Sequence, residues 1–269
     1  METSSQFTGD LSSLWKLQNI PPIHHLTWDW WWWLVMLDDE NGNPAGKQLM
    51  VLWSTKDNPL VEVNGHPWTP VGRPGFDDDG GIAMDGMVAA WWYEGEKLIE
   101  PLVLEESRII VIAEDHSSWP YEKGGVVASN TEKEFSMGLN PEENKFWLKL
   151  ETEYGDFDLT MTPWNNAMSS MKVAQAEYGL GMGYGISRLH GALCTGVIDG
   201  GEVNGTAYFQ KVCVQAPSPP WFWGVLHLDD GSYIDWFLPH ISPTVTARLS
   251  AMEKERFYTL PVVYGGLIP

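Results

Sequence analysis

Residues 28–33 read Trp-Asp-Trp-Trp-Trp-Trp, and this run restricts the fold more than any other stretch of the chain. An extended backbone sends successive side chains to opposite faces, so Asp29, Trp31 and Trp33 share one face and Trp28, Trp30 and Trp32 the other. A strand with indoles on both faces must be covered on both, by an interior on one side and an outer layer on the other. The apolar core of the run, Trp30 to Leu37, falls well short of the roughly 20 residues a bilayer-spanning helix needs.

The rest of the chain repeats the strand-and-turn pattern. Trp28 to Leu37 and Lys47 to Thr55 flank Asn41-Gly42-Asn43-Pro44, and Gly86 to Tyr93 and Leu98 to Leu104 flank Glu94-Gly95-Glu96-Lys97, two hairpin signatures. Arg108 to Ala113 is a short apolar strand. Lys145 to Glu153 alternates, with Phe146, Leu148 and Leu150 on one face and Trp147 on the other, and turns at Tyr154-Gly155-Asp156 into Phe157 to Thr162. Arg188 to Ile198 and Val203 to Val214 form a hairpin about Gly200-Gly201, and Phe222 to Leu228 turns at Asp229-Asp230-Gly231 into Ser232 to Leu238. Helical spacing is confined to Pro243 to Phe257, and Trp164 to Val173 reads as a helical turn or a loop. The expected fold is all-β, an antiparallel barrel or sandwich with a short C-terminal helix. Residues 1–20 read as an extension, 21–240 as one β unit or two merged ones meeting near 165–185, and 241–269 as helix and tail.

Sixteen Lys and Arg against 36 Asp and Glu give a net charge of −20, which argues against nucleic acid and anionic membranes as partners. Met1 to Asn19 shows no basic stretch leading into an apolar one, so a cytoplasmic location is expected. The two cysteines then read as free thiols, since a turn at Gly200-Gly201 places Cys194 opposite Ala207 or Tyr208 and away from Cys213. Asn204-Gly205-Thr206 matches a glycosylation sequon without a signal to make use of it. Sixteen Trp are a surplus that a solid interior does not need, because each buried indole N–H wants a partner. A flat apolar ligand would account for them.

At Asp29-Trp30-Trp31-Trp32-Trp33 the sequence resembles the Glu-Trp-Trp-Tyr-Phe segment of the carotenoid 1,2-hydratase (hydroxyneurosporene synthase) and AttH-like proteins. The resemblance continues through Trp147 to Glu153, Asp158 to Pro163, Leu189-His190-Gly191, Val203 to Gln210 and Trp223 to Gly231, covering about Trp28 to Leu238. It implies a lipocalin-like barrel followed by a second β domain, here short, merged or cut. Fungal lipocalin-like Diels–Alderases look like members of the same superfamily. Where the hydratases carry Tyr-x-Asp, this chain has Tyr208-Phe209-Gln210. An amide cannot supply the strong proton donor that olefin hydration needs, but it can donate a hydrogen bond to a carbonyl.

The expected activity is a cofactor-independent cyclase that folds a hydrophobic polyene or terpenoid in a Trp-lined barrel and promotes a Diels–Alder or hetero-Diels–Alder step. Tyr208 and Gln210 are the candidate donors, Asp29, Glu177 and His190 the polar partners, and Trp31, Trp33, Trp53, Trp91, Trp223 and Trp236 the walls. Two alternatives stay open: an acid-initiated isoprenoid hydratase or cyclase, in which Asp29, Glu177 or Asp235 supplies the proton, and a carrier that binds a lipid or pigment unchanged. Gly179, Gly181, Gly183 and Gly185 alternate, as a smooth strand face or a gating loop would. Pro217 to Trp223 could close a barrel mouth. No metal site is expected: Asp77-Asp78-Asp79 is a Gly-flanked turn and no His pair has zinc spacing. No cofactor is expected either.

Overall fold

The structure is a computed structural model that describes residues 14–15, 26–56, 61–63, 65–69, 75–76, 81–112, 124–140, 143–164, 173–179, 182–216, 221–241, 258–259 and 264–268. Apart from a short 3₁₀ turn at Leu14 and Trp15, its regular structure is all strand. In chain order the strands are β1 (Thr27–Asp38), β2 (Pro44–Lys56), β3 (Val61–Val63), β4 (His66–Trp68), β5 (Gly75–Phe76), β6 (Ile82–Glu94), β7 (Leu98–Ile112), β8 (Gly125–Ser129) and β9 (Phe135–Asn140). They continue as β10 (Lys145–Thr152), β11 (Gly155–Pro163), β12 (Val173–Gly179), β13 (Met182–Ile198), β14 (Gly201–Gln215), β15 (Trp221–His227), β16 (Tyr233–Ile241), β17 (Tyr258–Thr259) and β18 (Tyr264–Ile268).

Two compact units result, residues 1–216 and 217–269. In the first, β11-β10-β9-β8-β7-β6-β2-β1-β14-β13 are hydrogen-bonded in that order and β13 pairs back onto β11, which closes a ten-stranded antiparallel barrel. Closure removes the free edges an open sheet would carry. Strands β5 and β12 pair onto β6 and β13 outside the ring, and β3 with β4 makes a separate hairpin. In the second unit β16 is the hub, paired with β15, β17 and β18. Among the described residues no helix is long and apolar enough to cross a membrane.

Turn chemistry sets the registers. In the β1–β2 turn, the carboxylate of Asp39 accepts from the backbone N–H of Asn41 and of Asn43 while Gly42 takes a φ of 80°. Between β13 and β14, Asp199 and Gly200 both have positive φ, 48° and 78°, as a two-residue hairpin loop matching the strand twist requires. The turn is therefore Asp199-Gly200, one residue earlier than Gly200-Gly201, and Cys194 faces Gly205 instead of Ala207 or Tyr208. Both cysteines are free and buried.

Inside the barrel the alternating residues pack into one aromatic-aliphatic core. Trp31, Trp33 and Trp53 have no exposed surface, and Phe135, Phe146, Phe157 and Phe209 join them. Ring centroids of Trp33 lie 4.7 Å from Phe209 and 5.3 Å from Phe146. Each of the three inner indoles finds a partner for its N–H within the protein: Trp31 donates to the Leu14 carbonyl (2.7 Å), Trp53 to the Phe135 carbonyl (3.1 Å) and Trp33 to the Met137 sulfur (3.3 Å). Leu14 and Trp15 are themselves buried and belong to this core.

Several elements differ from the sequence reading. Leu98–Leu104 and Arg108–Ala113 merge into the single β7, because Glu105, Glu106 and Ser107 continue the main-chain ladder opposite Val88, Met87 and Gly86 whatever their side chains do. Strand β9 was hidden by Ser136, Gly138 and Asn140, although Phe135, Met137 and Leu139 alternate inward. The alternating glycines do not form one strand: Gly179 ends β12 and Met182 opens β13. The expected helix at 243–257, the Asp77-Asp78-Asp79 turn, residues 165–172 and residues 217–220 lie outside the described residues.

Gly86 shows how tightly β2, β6 and β7 meet. A Cβ there would lie 2.3 Å from the Ser54 carbonyl oxygen and 2.4 Å from Ile109 Cγ1. Gly86→Ala should therefore cost about 1–3 kcal/mol. A urea titration reads this as a lower midpoint, and an unchanged midpoint would contradict the contact.

Candidate functional site

Strand β14 sorts the polar residues by parity. Phe209, Lys211 and Cys213 face inward opposite Trp33, Trp31 and Asp29 of β1, while Tyr208, Gln210 and Val212 face outward opposite Leu34, Trp32 and Trp30. On the other side of β14, Gln210 faces Arg188 of β13. A bulge then sets His190 and Gly191 of β13 against Tyr208 alone, re-aiming the His190 ring toward the Tyr208 ring.

The outer cluster is built on Tyr208, which has no exposed surface. Its hydroxyl donates to Gln210 Oε1 at 3.3 Å, which leaves the Gln210 NH₂ as the donor end of the amide. The rings of His190 and Trp32 stand edge-on to Tyr208, with centroids at 6.0 Å and 6.4 Å. Gln210 is buried, whereas Trp32, Arg188 and His190 are half-buried and form the rim. Along the same face of β1, Trp28 and Trp30 lie 4.5 Å apart, and the Trp28 N–H donates to Ser54 Oγ.

The inner cluster lies on the opposite side of the same strands. Lys211 Nζ donates to Asp29 Oδ1 at 2.6 Å and to the Val212 carbonyl at 3.2 Å, and it stands 4.0 Å above the Trp31 ring. The side chains of Lys211 and Asp29 are only 3% and 2% exposed. Asp29 is the direct cross-strand neighbour of Thr55, whose buried hydroxyl has no hydrogen-bond partner among the described residues, and of Cys213. Beyond them Thr27 donates to Gln215. Burial pushes the Cys213 thiol up to about 11; the Asp29 charge adds to the rise, while the Lys211 charge and a backbone hydrogen bond with Gly185 oppose it. Cys194 is pushed up to about 12 by burial and the Asp38 charge. Neither thiol carries enough thiolate at neutral pH to act as a nucleophile.

The candidate residues thus separate. Tyr208, Gln210 and His190 come together on the outer face. Asp29 lies inside, with Trp31, Trp33 and Trp53. Trp91 is half-buried opposite Met50. Glu177 is in β12 opposite Gly183. Trp223, Trp236 and Asp235 belong to the second unit, where the Trp236 indole lies over Gly224. Sequence reasoning missed Lys211. The signal was its parity: within Val203 to Val214 it falls in the inward series Phe209, Lys211, Cys213, where a lone cation needs a buried anion.

No family model matches the sequence, and no curated protein is similar enough to match. Among solved structures, the fold is similar to that of an AttH protein, NE1406, from Nitrosomonas europaea, with a TM-score of 0.52 over 94% of this chain and 68% of that one at 12% identity. Two structures of CghA, one with Sch210972, give TM-scores of 0.45 at 9% and 10% identity, and this chain spans 57% of each. The chain has the AttH-like, lipocalin-like barrel fold that the sequence resemblance implied.

The inner pair makes a stability prediction. Lys211→Met or Asp29→Leu alone leaves a buried charge uncompensated and should cost about 3–5 kcal/mol. The double variant should lose much less than the sum, since neither charge remains. Chemical denaturation of the four proteins gives the coupling, and additive losses would show that the two groups do not interact.

Proposed function

We propose that this protein binds an apolar polyene or terpenoid bearing a carbonyl group and promotes its cyclisation, by a Diels–Alder or related pericyclic step, on the aromatic outer face of β1, β13 and β14. The observation that carries this reading is the Tyr208–Gln210 hydrogen bond inside a ring of Trp32 and His190. By occupying Gln210 Oε1, Tyr208 fixes which end of the amide can meet a substrate. The NH₂ end then polarises an enone or dienophile carbonyl and lowers the barrier.

A pericyclic step asks little more of the protein. Holding the reacting carbons near 3–3.5 Å supplies most of the acceleration. The indoles offer flat apolar surface for the chain and stabilise developing positive charge by about 0.5–2 kcal/mol per well-placed ring. Acid-initiated hydration would need a carboxylic acid at the olefin, and Asp29 of β1 faces the other way and accepts from Lys211. A carrier would use the same surface without altering its guest.

The test is incubation with linear polyenes that carry a diene and an unsaturated ketone, comparing products and stereoisomer ratios with buffer alone. The protein should enrich one cycloadduct, with a rate flat from about pH 5 to 9 because no acid–base group is needed. Gln210→Leu should slow the reaction about tenfold or more, the worth of one hydrogen bond, and Tyr208→Phe less. Unchanged substrate recovered from a tight complex would establish a carrier and end the enzymatic reading.

A further inference from the structure

The end of the barrel where β1 and β13 begin and β2 and β14 finish holds chemistry that the outer face does not use. An amine, a carboxylate, a hydroxyl and an indole converge there: Lys211, Asp29, Thr55 and Trp31. Thr55 Oγ1 is buried and makes no hydrogen bond among the described residues, an arrangement that usually costs about 1–3 kcal/mol and that a polar atom of a guest would relieve. Gly185 faces Cys213 on the inner surface and contributes no side chain. Leu14 and Trp15, which belong to no sheet, are buried: the Leu14 carbonyl accepts the Trp31 N–H, and Trp15 packs on Gly124.

We propose that Lys211 captures the carbonyl of an apolar aldehyde or ketone as an imine at this inner end, with Asp29 as counter-ion and Trp31 facing the cation. Lys211 passes one proton to Asp29 and adds its nitrogen lone pair to the carbonyl carbon, and the carbonyl oxygen takes up a proton from that nitrogen to give a carbinolamine. Asp29 returns its proton to the hydroxyl, which leaves as water while the nitrogen lone pair forms the C=N bond. The net change is ammonium plus carbonyl giving iminium plus water, with no oxidant or reductant. Thr55 can donate to the carbonyl oxygen as it is attacked, since it is the direct cross-strand neighbour of Asp29, which the Lys211 amine touches. The iminium inherits the Asp29 contact and the position over Trp31 that the ammonium holds now. The proposal stands apart from the outer-face reading, because the two sites occupy opposite faces of β14.

The experiment uses full-length protein, all-trans-retinal as an apolar aldehyde and cyanoborohydride to trap the imine, followed by intact-mass analysis and peptide mapping. One retinyl group per chain should appear, on Lys211, with the visible band of the complex shifted to the red of free retinal. Lys211→Arg keeps a cation beside Asp29 but cannot form an imine, and it should lower the adduct at least tenfold. Asp29→Asn should remove most of the red shift. Absence of an adduct, an adduct spread over the other lysines, or one undiminished in Lys211→Arg would overturn the proposal; should that variant not fold, the peptide map of the unmodified chain decides.

Discussion

Parity along β1 governs the molecule. Because residues directly opposite one another in an antiparallel pair share a face, the side to which Trp31 points also fixes the side for Trp53 in β2 and Lys211 in β14. A slip of one residue in either pairing would exchange the inner indoles for Trp28, Trp30 and Trp32 and expose the ion pair. The inward series on β1, Asp29-Trp31-Trp33-Val35-Leu37, can be satisfied in only one register.

The inner face repays that constraint with packing and polar closure together. The Trp33, Phe146 and Phe209 rings lock the waist of the barrel, and the indole N–H groups are answered by Leu14, Phe135 and Met137. The Asp29–Lys211 pair is a different kind of contact. Removing two charges from water costs several kcal/mol for each ion, so a pair this deep contributes little net stability, and its value lies in register or in chemistry. Tyr208 and Gln210, one residue on either side of Phe209, place a hydrogen-bonded polar pair on the opposite face.

Much of this was legible in the sequence. The alternation in Trp28 to Trp33 and in Lys145 to Glu153, and the Gly-bearing turns between strands, followed from local rules and reappear in β1, β10 and β11. The all-β class followed from them. What could not be read was pairing between strands distant in sequence. Closure of β11 on β13, the merging of β7 and the meeting of Lys211 with Asp29, 182 residues away, are set by main-chain ladders that leave no local trace. The position of Gln210 was ambiguous for the same reason: its parity within β14 was visible, but which parity faced the interior depended on β1. Of the expected walls, Trp31, Trp33 and Trp53 lie in the barrel core with their N–H groups bonded within the protein, a placement that depends on the same pairing.

On the proposed function, linear polyenes meet the outer indoles of β1, while Trp33 and Trp53 at the waist of the barrel are closed core. Incorporating 5-fluorotryptophan, assigning the resonances by single Trp→Phe replacements and titrating with a linear polyene ester would test it directly. Trp28, Trp30 and Trp32 should shift in proportion to bound ligand, and Trp33 and Trp53 should stay fixed. Shifts confined to Trp33 and Trp53, with the outer three unmoved, would contradict the account.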